Sequence, residues 1–220
     1  MTELAAQLLE SPKAPQIIRQ VQAILNDEYK RRQAFYEWMD DDMKAEFING
    51  EVVVHSPALH RHNMAVMLLG TLLNTYVNVH ELGIALVEKT LVELTRNSYE
   101  PDIVFFDKSK AVHLKPDQLY YPAPDLIVEV LSKSTQQNDR GVKFEDYAAH
   151  NVTEYWLVDP VRETIETFTI DADTSEYAAT GLFRVGQSVS SQVITGFTIP
   201  VKAVFDAGAN VTALRALLTA

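Results

Sequence analysis

The residues best equipped for chemistry lie between Tyr99 and Pro160. Asp102 follows Pro101 at the head of the apolar run Ile-Val-Phe-Phe at 103–106. Glu129 sits inside a second apolar run, Leu-Ile-Val-Glu-Val-Leu at 126–131. A carboxylate buried without a partner costs about several kcal/mol, so acids in such strands are usually paired, protonated or bound to metal. Lys143 follows on a stretch that reads as helix, with Asp139 and Tyr147 on its own face at i−4 and i+4. An acid on each of two strands followed by a helix lysine suggests a divalent-metal hydrolase, most economically a nuclease.

Strand geometry narrows the pairing. Side chains alternate faces at roughly 3.3 Å per residue, which puts Asp125, Ile127, Glu129 and Leu131 on one face. Asp125 and Glu129 are then about 13 Å apart, too far to share one ion. Asp125, beside Pro124 at the strand entrance, reads as a strand-end cap or the partner of a basic residue. Glu129 therefore needs a partner from a neighbouring strand, and Asp102 fits best. An Asp102/Glu129 pair suits Mg²⁺ or Mn²⁺, completed by waters and phosphate oxygens. A metal there would lower the pKa of a bound water. Lys143 would help position that water and offset developing charge, unless it is only an exposed ion-pair partner of Asp139.

Other residues rank lower. Glu46 and Glu51 flank Asn49-Gly50, whose pairing suits a two-residue type I′ hairpin, and either could supply a further carboxylate. His55, His60 and His62 do not make a convincing zinc set, because positions 60 and 62 diverge at a helix start. His62 alone reads as a hydrogen-bond donor at the edge of a site. Trp156 reads as core rather than as a base-stacking platform.

The remaining sequence supplies the scaffold. The 220 residues have 47% hydrophobic content and suit one domain with an added arm, in an α/β or α+β class. Cysteine is absent, which excludes disulfides, zinc-thiolate sites and thiol catalysis. Met-Thr-Glu-Leu-Ala-Ala-Gln lacks a basic leader and no apolar run approaches a span, so a cytoplasmic location is expected. A net charge of −11 disfavours broad attraction to nucleic acid. Residues 1–34 read as a helical arm, broken at Pro12–Pro15, that packs on the domain or on a second subunit. Residues 35–208 form the domain and 209–220 a C-terminal helix. Within the domain, the pattern gives a hairpin at 46–54 and a buried helix from Leu59 to about His80. Strands follow near 84–94, 99–106 and 125–131. One helix runs from a Ser134/Thr135 N-cap to about His150, before strands at 154–158 and 163–170.

The motifs together resemble the Uma2 family, whose domain is of restriction-endonuclease type. They are Glu-Phe-Ile-Asn-Gly-Glu-Val at 46–52, Ser56-Pro57 with His62, Pro101-Asp102-Ile-Val-Phe, and Ala-Pro-Asp-Leu-Ile-Val-Glu-Val-Leu-Ser at 123–132. Ser134-Thr135, Asp139-Arg140-Gly141, Lys143, Tyr147, Asn151-Val152 and Glu-Tyr-Trp-Leu-Val-Asp-Pro at 154–160 complete them. The resemblance covers roughly Phe35 to Phe205. It implies the PD-(D/E)xK superfamily core, a mixed central β-sheet flanked by helices, and a DNA endonuclease activity. Carried over, the motif acids are Asp102 and Glu129, with Glu46 or Glu51 upstream. Leu131 stands where the motif lysine usually lies, which implies a lysine displaced to the next helix, Lys143. Lys133 is a second candidate. DNA is the expected partner, and two-fold recognition of a duplex favours a homodimer. Two rivals are a silent nucleic-acid- or protein-binding module that keeps the fold, and a metal-dependent hydrolase of another substrate.

Overall fold

A computed structural model describes residues 3–40, 43–171 and 173–219; the first two residues of the expected arm and Ala220 of the expected C-terminal helix lie outside them. The fold is α/β, with mixed sheets flanked by helices. Helices α1 (Glu3–Glu10) and α2 (Ala14–Trp38) come first, separated at Ser11–Lys13, and Pro15 sits in the first turn of α2, where its missing N–H costs nothing. Strands β1 (Ala45–Ile48) and β2 (Glu51–Val54) form the hairpin; Asn49 and Gly50 both have positive φ, as a type I′ turn requires. Helix α3 (His60–Val79) leads to β3 (Gly83–Val87), β4 (Leu91–Glu93), β5 (Ser98–Tyr99), β6 (Ile103–Asp107) and the single turn α4 (Lys108–Ala111). Strands β7 (Tyr120–Tyr121) and β8 (Leu126–Val130) precede α5 (Gln136–Asp139) and α6 (Val142–Ala149). The chain finishes with β9 (Glu154–Asp159), β10 (Thr164–Ile170), β11 (Tyr177–Arg184), β12 (Ser188–Ser190), β13 (Thr198–Pro200), a 3-10 turn at Val201–Val204 and α7 (Ala207–Leu217).

Two larger sheets organise these elements. One runs β2-β1-β5-β4-β7 and the other β11-β10-β9-β8-β6-β3, each with one parallel pair, β4–β7 and β8–β9. Period-two alternation on β8 sorts its side chains between two cores. Leu126, Val128 and Val130 join Ile103 and Phe105 under α3 and α7, while Ile127 and Leu131 join Val104, Phe106, Tyr147 and Tyr155 on the other face. Trp156 is fully buried in the first core, as its sequence context indicates.

Three elements differ from the sequence pattern. The single strand expected over 84–94 is two strands in different sheets, because Glu88 and Lys89 both adopt positive φ and turn the chain from β3 into β4. The strand expected over 99–106 is likewise split, with Glu100-Pro101-Asp102 carrying the chain back from β5 to β6. The helix expected to reach His150 breaks at Gly141, whose φ −118° and ψ −106° are not helical. A side chain there would meet the Gln137 carbonyl at 2.8 Å, so glycine permits the break.

The C-terminal half of α2 is fastened to the hairpin sheet. Phe35 packs on Ala45, Phe47 and Leu91, and Arg32 donates to the Leu94 carbonyl at 2.8 Å. Arg96 grips Glu28 through two bonds of 2.8 Å, and this pairing holds the Glu28 carboxyl below its ordinary pKa despite partial desolvation. A lowered carboxylate pKa contributes stability that is present above about pH 4.3 and is lost as pH falls. Arg96→Ala should therefore cost about 1–2 kcal/mol at pH 7, as the loss of a charge-assisted pair that is half exposed on the arginine side. Urea titrations at pH 7 and pH 3.5 check this, with the mutant–wild-type difference expected to shrink at the lower pH.

Candidate metal-binding active site

The site lies where the two sheets meet, and each of its acids arrives on a different element. In the β6–β8 ladder Ile103 pairs with Val128 and Val104 with Ile127. Continued by one residue, that register sets Asp102 opposite Glu129 on the same face. Asp102 also closes the ladder, since its Oδ2 accepts from the Val130 amide at 2.8 Å. Glu46, on β1 of the other sheet, reaches across, and its Oε1 accepts from the Glu100 amide at 3.0 Å. Glu100 reciprocates by accepting from the Ala45 amide at 3.2 Å. Pro101 has no N–H, so the crossing leaves one fewer buried donor to satisfy.

Lys143 fills the centre. Its side chain is 2% exposed, and its ammonium lies 2.8 Å from Glu46 Oε1, 2.9 Å from Glu129 Oε1 and 3.4 Å from Asp139 Oδ1. The Tyr147 hydroxyl donates to the same Glu129 oxygen at 3.0 Å. The reading of Lys143 as an exposed partner of Asp139 is thus corrected, because both residues are buried, although the pair itself is present. Lys133 is exposed and lines the cavity rim, while Glu51 lies outside at 80% exposure and pairs with Arg31. Asp125 caps its strand, accepting from the Asp107 amide and pairing with Lys110 at 2.9 Å.

A second cation sits nearer the opening. Lys44 Nζ is 3.0 Å from Asp102 Oδ1 and 2.7 Å from Glu88 Oε2, and His62 Nε2 approaches the same Asp102 oxygen at 3.5 Å. The sequence reading missed Lys44, Glu88 and Glu100. Period two would have found Lys44, which shares a strand face with Glu46, and Glu100, which matches Asp102 across Pro101. No sequence signal marks Glu88.

Electrostatics follow from the surplus of acid. Glu46, Glu88, Glu100, Asp102, Glu129 and Asp139 outnumber the ammonium groups of Lys44, Lys89 and Lys143 that act on them. Burial raises the pKa of Glu129 well above the ordinary value; Lys143 opposes this, and Asp139, Asp102 and Glu46 reinforce it. Asp139 is raised for the same reason. Burial also acts on Glu46 and Asp102, but Lys143 and His55 hold Glu46 low, and His62 and Lys44 hold Asp102 low. Burial alone would lower Lys44 and Lys143; their carboxylates outweigh it and raise them.

Among the described residues, both Asp139 oxygens and Glu46 Oε2 are buried without a hydrogen bond, although His55 Nε2 lies 3.0 Å from the latter off a good bonding line. These orphaned oxygens, and carboxyls pushed toward protonation, mark a cluster short of positive charge. The donor set of carboxylate oxygens with one imidazole fits a divalent cation. His62, Glu88, Glu100, Asp102, Glu129, Lys44 and Lys143 line a cavity of about 1210 Å³ bounded by α3, β3 and the 132–135 loop.

Comparison with known proteins accords with this architecture. The Uma2 model, described as "Putative restriction endonuclease", matches residues 27–202. The chain belongs to the Uma2 family. The same fold is seen in a solved structure from Anabaena variabilis ATCC 29413, described as a "putative nuclease belonging to DUF820". That structure matches with a TM-score of 0.66 and 19% identity over 78% of this chain and 94% of that one. The type IIG restriction endonuclease BpuSI gives a TM-score of 0.39 and 14% identity over 76% of this chain and 18% of its own. No curated protein matches.

Removing the central ammonium leaves three buried carboxylates facing one another. Lys143→Met should destabilise the fold by about 3–5 kcal/mol at pH 7, the cost of stripping the partner from a buried charge. Without the lysine the acids titrate still higher in the folded state. A raised carboxylate pKa favours folding at low pH and loses that contribution as pH rises, so the deficit should shrink toward pH 4. Denaturant titrations across pH 4–8 test both statements, and adding Glu129→Gln should restore part of the loss.

Proposed function

We propose that this Uma2 domain hydrolyses DNA phosphodiester bonds with a divalent cation, Mg²⁺ or Mn²⁺, at the Glu46–Asp102–Glu129–Lys143 cluster. The observation that carries this reading is convergence. Four elements far apart in the chain bring three acids and one lysine into one cluster, with the lysine buried between two of the acids and with Asp102, Glu129 and Lys143 lining the cavity. A nuclease-like family supports it, and so does a metal-compatible group of side chains at the same cavity that includes Asp102.

Asp102 and Glu129 would hold the ion, which when bound supplies a Lewis acid and a water of lowered pKa. Lys143 fixes the Glu129 and Glu46 carboxylates and keeps positive charge beneath the reacting phosphate. The Tyr147 hydroxyl locks Glu129 from behind. Glu46 ties the hairpin sheet to the site through the Glu100 amide, which holds the crossing before Asp102 in place. With a chain charge of −11, the cation must also offset repulsion between this cavity and a polyanion.

A non-cleaving nucleic-acid- or protein-binding module is the second reading. One observation favours it: Lys143 is 2% exposed and has three carboxylates within 3.4 Å, which screen its charge from a phosphate. We further assign a homodimer formed through the N-terminal arm, residues 1–34. Ile18, Val21, Ile24 and Leu25 are 39–57% exposed on the half of α2 that projects from the hairpin sheet.

Purified protein incubated with supercoiled and branched DNA should nick or cut it with Mg²⁺ or Mn²⁺ and remain inert with EDTA. Asp102→Asn and Glu129→Gln, with melting temperatures confirming their folds, should each reduce cleavage by about 100-fold or more. Metal-independent binding without cleavage in every protein would support the silent module. Light scattering should return twice the chain mass, and Val21→Glu/Leu25→Glu should return the monomer.

A further inference from the structure

The cavity holds a feature that the motif acids do not explain. Ligand atoms of His62, Glu88 and Asp102 all lie within 4.8 Å of one another, which among the described residues is the only group of three or more such side chains close enough to share an ion. Glu129 is not in this group; its Oε1 already takes the Lys143 ammonium and the Tyr147 hydroxyl. His62 is 9% exposed, at the first turn of α3, and its Nδ1 is buried without a hydrogen bond. Glu88 is brought to the spot by its own positive φ, and its amide bonds the Asp102 carbonyl at 3.0 Å, clamping the two acidic residues together.

Lys44 is the second clue. Its ammonium bridges Asp102 and Glu88 at 3.0 and 2.7 Å, so a positive charge already spans the two acids of this trio. Lys44 is also the more accessible of the two site lysines, at 25% side-chain exposure against 2% for Lys143. It can swing into the cavity; Lys143 cannot.

We propose that His62, Glu88 and Asp102 form the divalent-cation seat of this domain, and that the Lys44 ammonium is a tethered stand-in displaced when the ion enters. This rests on the reading of Asp102 as a metal ligand and adds His62 and Glu88 beside it. Imidazole is a good ligand for Mn²⁺ and later first-row ions, whereas Mg²⁺ prefers an all-oxygen shell. The seat therefore takes Mn²⁺ in preference to Mg²⁺.

Calorimetric titration of the full chain with MnCl₂ and MgCl₂, without DNA, tests this directly. One Mn²⁺ should bind per chain. Glu88→Gln and His62→Gln should each weaken it by about tenfold or more, while Glu51→Gln, outside the site, should change it by less than about threefold. Lys44→Met should tighten Mn²⁺ by up to about fivefold, reflecting release of one partly exposed ion pair. His62→Gln should also narrow the preference for Mn²⁺ over Mg²⁺. Circular dichroism and melting temperature establish that each variant is folded, and His62→Asn replaces His62→Gln if the latter is not.

The proposal is overturned if Glu88→Gln and the His62 variant bind Mn²⁺ as the wild type does, or if Lys44→Met weakens binding. Loss of binding in Asp102→Asn and Glu129→Gln alone would uphold the Asp102–Glu129 pair and overturn this seat. No Mn²⁺ binding by the wild type would overturn both.

Discussion

One ammonium group holds this structure's functional end together. Lys143 projects from α6 into a space where β1 of one sheet, β8 of the other and the end of α5 each contribute a carboxylate. None of those acids could remain ionised there alone, because the interior solvates charge poorly. The lysine makes their approach tolerable, and the acids in turn keep the lysine charged in a place where burial would otherwise neutralise it. Two sheets and a helix are thus joined by electrostatics that apolar packing alone would not specify. The aromatic floor of Tyr99, Tyr147 and Tyr155 excludes water beneath and strengthens each of these contacts.

Much of this was written in local pattern. Alternation along 125–131 separates the two cores correctly and puts Glu129 on the face that Asp102 shares, because period two is a property of the strand itself. The Asn49-Gly50 turn was equally legible, since few sequences adopt positive φ at two successive positions without strain. Lys143 could be singled out only by its order after Glu129 and by the family motif. Its burial depends on the break at Gly141, and a lone glycine inside a helical pattern does not announce a change of direction.

What stayed hidden involves residues that act against their local preference. Glu88 and Lys89 take a left-handed backbone that glycine or asparagine would normally supply, so the end of β3 carries no turn signal. The same pair moves the chain between sheets, and the partition into two sheets was therefore invisible along with the turn. Lys44 and Glu100 were passed over because a charged residue beside a strand usually faces solvent. Here each is drawn inward by a partner that is remote in sequence, Asp102 at 58 residues' separation and Ala45 at 55. Period two puts each on the right face, but nothing local predicts the partner it meets there.

The kink at Gly141 also makes the chain a ruler. Helix α6 presents a new direction about every 100° per residue, so adding one residue between Gly141 and Lys143 would aim the ammonium at a different wall. The turn at 161–163, which joins β9 to β10 in the open, can lengthen without moving anything the cluster touches. Spacing from Glu129 through the kink to Lys143 is accordingly under tighter constraint than the identity of most residues within it. Length variation in this fold belongs at exposed turns such as 161–163, and an insertion near the kink would be more disruptive than most substitutions.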